Sequence, residues 1–287
     1  MAVASEAVSN RSVIRVREEA TRVDDDLVVE EPVEFRLDGT ALAVVMRTPG
    51  NDAELALGFA ITEGIVNGPH EVASVVDLGE GRWDVRLAEG IEVDPSRFQR
   101  NFYATSSCGV CGKASIDAIR VAGSVPPHGP VVTPEVLLSL PGRLIEEQHA
   151  FRSTGGIHAA AAFEPDGTLV AVREDIGRHN AVDKLVGHLA TTRWPIDQLG
   201  LLVSGRVSFE IVQKAAVAGL SLVCGVSAAS SLALDLAEEF HMTVIGFLRD
   251  AGFTIYTGEK RVRLLPQEPS DVGGGGAQGD GGGSGST

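Results

Sequence analysis

Residues 199–248 read LGLLVSGRVSFEIVQKAAVAGLSLVCGVSAASSLALDLAEEFHMTVIGFL, and the alternation inside this stretch decides the fold class. Three short apolar runs, LGLLVSG (199–205), LSLVCGVSA (220–228) and MTVIGFL (242–248), have the length and character of buried strands. Between them, SFEIVQKAAVAG (208–219) and SSLALDLAEEFH (230–241) space their apolar residues as helices do. Strands alternating with helices of about 10–15 residues predict βαβ units and a largely parallel sheet, hence an α/β fold. In such sheets ligands bind beyond the carboxyl ends of the strands. The loops SGRVSFE (204–210), GVSAASS (225–231) and FLRDAG (247–252) are therefore expected at a ligand-binding rim.

Upstream, GIHAAAAFEPDGTLVAVRED (156–175) reads as a hairpin around Pro-Asp-Gly, and HNAVDKLVGHLA (179–190) as an amphipathic helix. An α/β domain over 133–266 follows from these elements. Residues 27–125 have a different texture. LVVEEPVEFRLDGTALAVVMRTPG (27–50) holds two strand-like runs around Asp38-Gly39, a hairpin signal. NDAELALGFAITEGIV (51–66) has helical spacing with Asn51 or Asp52 as N-cap, and VASVVDLGEGRWDVRLA (72–88) reads as a second hairpin. This smaller α+β domain closes with TSSCGVCGK (105–113) and a helix over KASIDAIRVAG, 113–123, with Gly123 as its C-cap. Residues 1–26, polar and ending in three aspartates, and 267–287, rich in glycine, read as disordered tails.

A formal charge of 24 − 39 = −15 argues against nucleic acid or an anionic membrane as the main partner. It leaves room for a small anionic ligand, which local basic residues and helix N-termini can bind whatever the total charge. No stretch has the length and apolarity of a membrane span, and the N-terminal residues carry no apolar signal segment. Three cysteines do not make a disulfide framework, so a reducing cytoplasm is the expected setting.

Two of those cysteines, Cys108 and Cys111, form C-x-x-C among small residues. A structural zinc site would need further soft ligands, and Cys224 sits alone in an apolar strand while no histidines pair at ligand spacing. A thioredoxin-like redox pair would open a helix after a βαβ strand, whereas hairpins precede this one. A third reading has a thiolate accepting sulfur as a persulfide, in a loop of Thr105, Ser106, Ser107, Gly109 and Gly112 with Lys113 nearby. Spacing alone leaves the redox and persulfide readings open.

Several stretches taken together resemble the formate dehydrogenase accessory sulfurtransferase family, FdhD. They are SSCGVCGKASI (106–116), STGGIHAAA (153–161), REDIGRHNAVDKLVG (173–187), SGRVSFEIVQKA (204–215) and GVSAASSLALDLAE (225–238), in order over roughly residues 25–265. The resemblance implies a cytoplasmic dimer that takes sulfur from a cysteine desulfurase. It would pass that sulfur to the molybdenum cofactor in its bis-molybdopterin guanine dinucleotide form, Mo-bis(MGD), before insertion into formate dehydrogenase. It implies Cys108 as persulfide carrier, Cys111 as its companion, and a nucleotide-binding segment over Phe247, Leu248, Arg249, Asp250, Ala251 and Gly252. A carrier that binds the cofactor without covalent sulfur chemistry, or a thiol/disulfide switch, is the alternative.

The family's second domain resembles cytidine deaminases, a three-layer α/β/α fold. Zinc deaminases need H-x-E and P-C-x-x-C. Here RHNAVDK and SGRVSFE occupy those places, so His179 stands for the first ligand, Ala181 replaces the glutamate, and the second stretch has no cysteine. Neither zinc nor deaminase chemistry is expected. For the phosphates of the cofactor, Arg178, His179 and Arg206 at strand-to-helix turns are the expected contacts, with Ser227 beside them. Asp175 and Asp183 are expected to orient these bases, Ser230 and Ser231 to cap a helix, His158 to be a satisfied core histidine, and Lys214 to be exposed.

Overall fold

The computed structural model describes residues 7–94 and 129–264. Cys108, Cys111, the helix expected over 113–123 and the tail 267–287 lie outside the described residues.

The chain opens with a hairpin, β1 (Val8–Val16) and β2 (Ala20–Val28), where a polar tail was expected. Its strands pair in register from Val8↔Val28 to Val16↔Ala20, with Asn10–Asp26 and Arg15–Asp25 contacts across them. Cross-strand polar pairing of this kind leaves little apolar signal in the sequence. A second hairpin joins β3 (Glu31–Leu37) to β4 (Thr40–Arg47) through Asp38 and Gly39, both at positive φ, 46° and 78°. That is the two-residue turn whose twist matches the strands and which Asp-Gly favours. With β5 (Val72–Gly79) and β6 (Arg82–Leu87) these strands make a four-stranded sheet in the order β4-β3-β6-β5.

Helix α1 (Asp52–Thr62) buries one face on this sheet. Asn51 precedes it in a left-handed conformation without a side-chain cap; Asp52 instead grips Arg47, Nε–Oδ1 2.8 Å and Nη2–Oδ2 3.0 Å.

Helices α2 (Pro134–Glu147) and α3 (His149–Thr154) lead into β7 (His158–Phe163) and β8 (Leu169–Asp175). The elements α4 (Arg178–Thr192), β9 (Gly200–Val203), α5 (Phe209–Val217), β10 (Leu222–Gly225), α6 (Ser231–Glu239), β11 (Thr243–Arg249) and β12 (Gly252–Thr257) follow. The strands form one six-stranded sheet in the order β12-β11-β10-β9-β7-β8. Only β9, β10 and β11 are parallel; β7, β8 and β12 run antiparallel to their neighbours, because β7–β8 and β11–β12 are hairpins. The sheet is mixed rather than largely parallel.

Alternation along the strands splits the core in two. Leu201, Val203, Val223 and Val244 face α4, α5 and α6, while Leu202, Leu222, Cys224 and Ile245 face Leu137, Leu140 and Leu144 of α2. The first of these clusters continues without a break into α1 and the four-stranded sheet. The joint is a close crossing of α1 on α4. A Cβ on Gly58 would lie 1.7 Å from the Asp183 carbonyl oxygen, and one on Gly187 1.9 Å from that of Glu54. Helix α4 is consequently buried around most of its surface, not amphipathic, because sheet and helix enclose it from opposite sides. No helix among the described residues is long and apolar enough to cross a membrane.

Candidate functional site

The carboxyl ends of β9, β10 and β11 lie at one edge of the sheet together with the start of β7, the end of β8 and the N-terminus of α4. Antiparallel pairing places Ala160 opposite Val203 and His158 opposite Asp175, so His158 stands at the same edge as the loop after β9. The three loops read from the sequence as a rim do meet there. Ser227 N donates to Gly205 O at 3.4 Å, Phe247 N to Ser227 O at 2.9 Å, and Val207 N to Ala228 O at 3.0 Å.

The turn from β8 into α4, Asp-Ile-Gly-Arg-His-Asn, is held by a buried polar network. Asp175 is fully buried. Its Oδ1 accepts from Gly177 N at 2.8 Å and Asn180 Nδ2 at 2.9 Å, and its Oδ2 from Thr48 N at 3.1 Å and Lys184 Nζ at 2.8 Å. Lys184 also donates to Thr48 O at 2.8 Å, Asn180 to Met46 O at 2.8 Å, and Ile176 N to Thr48 Oγ1 at 3.1 Å. A buried carboxylate is tolerable only when paired and saturated with donors, as this one is. Gly177 is needed for this closeness, since a Cβ there would sit 2.8 Å from Asn180 Nδ2. The end of β4 thus fixes the N-terminus of α4, and the first block of the chain shapes the rim of the second. Asp175 orients Arg178 and His179 through the backbone turn.

Arg178 opens α4 beside Gly205; its Cδ lies 3.9 Å from where a Gly205 Cβ would be. Its Nε is buried and takes no partner among the described residues. The His158 ring packs against Gly205 as well, 3.3 Å from that same point. Burial holds His158 below the ordinary histidine value, and the Arg178 and His179 charges push it further the same way, with Asp175 opposing them. His158 is therefore a half-buried rim group, not a satisfied core histidine.

His179 Nε2 stands 3.3 Å from both Ser208 Oγ and Glu210 Oε2, and Ser208 Oγ donates to Glu210 Oε2 at 2.9 Å. The hydrogen bond from His179 holds the Glu210 carboxyl at about 2, well below its ordinary value, although partial burial works against this. Ser208 and Glu210 were legible only as the start of a helix; Ser-x-Glu at an N-terminus ordinarily signals capping.

Other expected residues divide. Arg206 is exposed at the loop after β9, and Arg249, Asp250 and Ala251 are exposed in the β11–β12 turn that Gly252 closes. Phe247 is exposed and strained, a non-glycine residue at φ 51° where the ladder to β12 shifts register. Leu248 is the exception within that segment, because it is fully buried in the cluster with Cys224 and Ile245 and faces away from the rim. Ser227 contributes its backbone, bridging Gly205 and Phe247. Ser230 caps α6, accepting from Ala233 N at 3.4 Å, and Ser231 is exposed in its first turn.

Asp183 and Lys214 do not join the rim. Lys214 is buried, not exposed, and its Nζ donates to Asp183 Oδ1 at 2.8 Å, Glu63 Oε1 at 2.8 Å and Thr62 Oγ1 at 3.0 Å. Burial disfavours its charge, but the attraction of Asp183 and Glu63 outweighs this and holds Lys214 above its ordinary value. The pair pins α5 to α4 and α1 in the interior. Cys224, fully buried and pushed up by desolvation, is an inert core thiol.

Comparison with known proteins places this geometry in context. A family model described as FdhD/NarQ matches residues 28–263. Sulfur carrier protein FdhD of Streptomyces avermitilis is 48% identical over 268 residues, covering 88% of this chain and 95% of its own. The protein of the same name from Sulfurisphaera tokodaii is 44% identical over 260 residues, covering 89% and 99%. The crystal structure of a protein described as a formate dehydrogenase accessory protein, from Desulfotalea psychrophila, superposes with a TM-score of 0.74. It covers 89% of this chain and 99% of that one at 19% identity, a likeness of fold.

Proposed function

The chain belongs to the FdhD/NarQ family, and from that membership together with the rim we propose a sulfur carrier that serves formate dehydrogenase maturation. Sulfur rides on Cys108 as a persulfide. A cysteine desulfurase supplies it, and Mo-bis(MGD), held as substrate at the rim, receives it. In the first transfer the Cys108 thiolate attacks the outer sulfur of the donor persulfide, forming one S–S bond as the donor cysteine leaves as thiolate. Cys111 supports the same loop chemistry. The carrier works in the cytoplasm as a homodimer on a deaminase-like scaffold that has lost the deaminase's glutamate.

The observation that carries the ligand assignment is Arg178 Nε, buried without a partner among the described residues, beside His158 and the exposed Arg206. A buried guanidinium nitrogen left over by the protein suits a phosphate oxygen, and the first turn of α4, which no side chain caps, suits it too. Leu248 is excluded from this contact; Arg178, Arg206, Phe247 and Arg249 carry it, with His179 and the Ser227 backbone alongside.

The test is Cys108→Ala in a strain that depends on this chain for formate dehydrogenase. The variant should fold normally and leave the enzyme immature. Normal maturation by Cys108→Ala would refute the persulfide role, and would favour a carrier that presents the cofactor without covalent sulfur.

A further inference from the structure

Thr48, just after β4, is 1% exposed and directs both backbone polar groups and its hydroxyl oxygen at the second block of the chain. Its N–H donates to Asp175 Oδ2 at 3.1 Å, its carbonyl accepts from Lys184 Nζ at 2.8 Å, and its hydroxyl oxygen accepts from Ile176 N at 3.1 Å. The sequence prepares this arrangement. Pro49 restricts the residue before it to extended backbone, and Gly50 and Asn51, at φ 100° and 59°, then turn the chain into α1. Two of the three contacts go to the buried ion pair of Asp175 and Lys184. The third does not; it fixes the amide two residues before Arg178, while Asp175 Oδ1 fixes that of Gly177.

We propose that Thr48 is a positioning residue of the nucleotide site: through the Ile176 amide its hydroxyl sets the β8–α4 turn and so aims Arg178 and the first turn of α4 at the phosphates. The inference rests on the reading of the rim as a nucleotide site. Being buried, Thr48 touches no ligand itself. Arg178 is the residue this clamp serves. Its Nε is buried with no partner among the described residues and its Cδ packs beside Gly205, so its place follows from where the turn sets its backbone. Charge-assisted contacts from a guanidinium, and from the N–H groups of a helix start, depend on direction. A turn released to swing therefore weakens them although every ligand-facing side chain remains. The first block thus completes a site whose ligand-facing residues all belong to the second. By linkage, the factor that the clamp contributes to affinity is the factor by which the nucleotide stabilises the clamp.

The experiment measures binding of guanosine diphosphate to the full chain by calorimetry. Thr48→Val keeps the shape and both backbone contacts and removes only the hydroxyl acceptor. It should bind about tenfold more weakly than the unaltered chain, the worth of one charge-assisted hydrogen bond. Thr48→Ser, which restores the oxygen, should recover the unaltered affinity. Thr62→Val is the control for a merely structural loss. Thr62 is fully buried, and its hydroxyl donates to Asp183 Oδ1 at 2.6 Å and accepts from Lys214 Nζ at 3.0 Å, in the network away from the rim. This variant should lower the melting temperature as Thr48→Val does, yet bind the nucleotide as the unaltered chain does. In the unaltered chain, where folding is not at risk, saturating nucleotide should slow amide exchange at Ile176 by about the same tenfold. Four results overturn the inference alone and leave Thr48 merely structural: undiminished binding by Thr48→Val, no recovery by Thr48→Ser, equal weakening by Thr62→Val, or exchange at Ile176 unmoved by the nucleotide. If the unaltered chain itself does not bind the nucleotide, the rim reading fails and takes this inference with it.

Discussion

Asp175 and Lys184 form an ion pair 2.8 Å long in which the two side chains are 0% and 1% exposed, and that pair holds the turn presenting Arg178 and His179. Both carboxylate oxygens of Asp175 are bonded, to Thr48 just after β4, to Gly177 and Asn180, and to Lys184.

Removing one partner of such a pair leaves a charge in the interior. Lys184→Met should destabilise the chain by about 3–5 kcal/mol, read as a lower urea midpoint at unchanged slope. The double variant Lys184→Met with Asp175→Asn should recover part of that loss. A single-variant effect within about 0.5 kcal/mol, the range of ordinary surface changes, would show that the network is not the clamp described here.

Helix α1 crosses α4 at Gly58 and Gly187, where no Cβ fits. Gly58→Ala should therefore cost upwards of about 3 kcal/mol by forcing the helices apart. Gly142, inside α2 with nothing within 4 Å of a Cβ, is the contrasting site. There alanine should be neutral or stabilise by up to about 1 kcal/mol. Thermal melts of the two variants should move in opposite directions, or the first should fail to fold while the second does not.

Acid stability reports on Glu210. Its folded value, about 2, lies below its ordinary 4.5, so its contribution is fully present above the ordinary value and is lost as pH falls through the folded one. The stability gap between the unaltered chain and Glu210→Gln should be constant above about pH 5 and shrink progressively below it. With solvent reaching the rim, its plateau should be about 1–2 kcal/mol. A gap that widens toward acid would contradict the ion-pair geometry at His179.

Phe247 holds a left-handed backbone at the register shift of β11. Phe247→Gly relieves strain of about 1 kcal/mol while discarding an exposed ring. Stability should change by less than about 1 kcal/mol, whereas guanosine diphosphate binding should weaken if the ring stacks on the base. Equal binding by both proteins would remove Phe247 from the site.

The elements of the sheet and the loops of its rim were legible because buried strands and helices write their periods into the sequence, as residues 199–248 do. Four features were not. The hairpin of β1 and β2 is stitched by polar cross-strand pairs, Asn10 with Asp26 and Arg15 with Asp25, which leave no apolar alternation to read. Lys214 and Lys184 look like surface lysines because a buried ion pair is invisible until its partner is known to be near; Asp183 lies 31 positions from Lys214. Leu248 was grouped with its neighbours by segment, while the pleat of β11 sends it to the opposite face from Phe247. His179 was legible as a rim residue, and Glu210, 3.3 Å from its Nε2, was not, because the helix-start signal of Ser-x-Glu masks any other use.

The central claim is that one thiol carries sulfur. Incubating the purified chain with a cysteine desulfurase and cysteine, then mapping peptides by mass spectrometry, tests it most directly. The account predicts a reducible gain of ~32 Da, one sulfur atom, on Cys108. Cys108 left unmodified, or the added mass found only on Cys224, would contradict it.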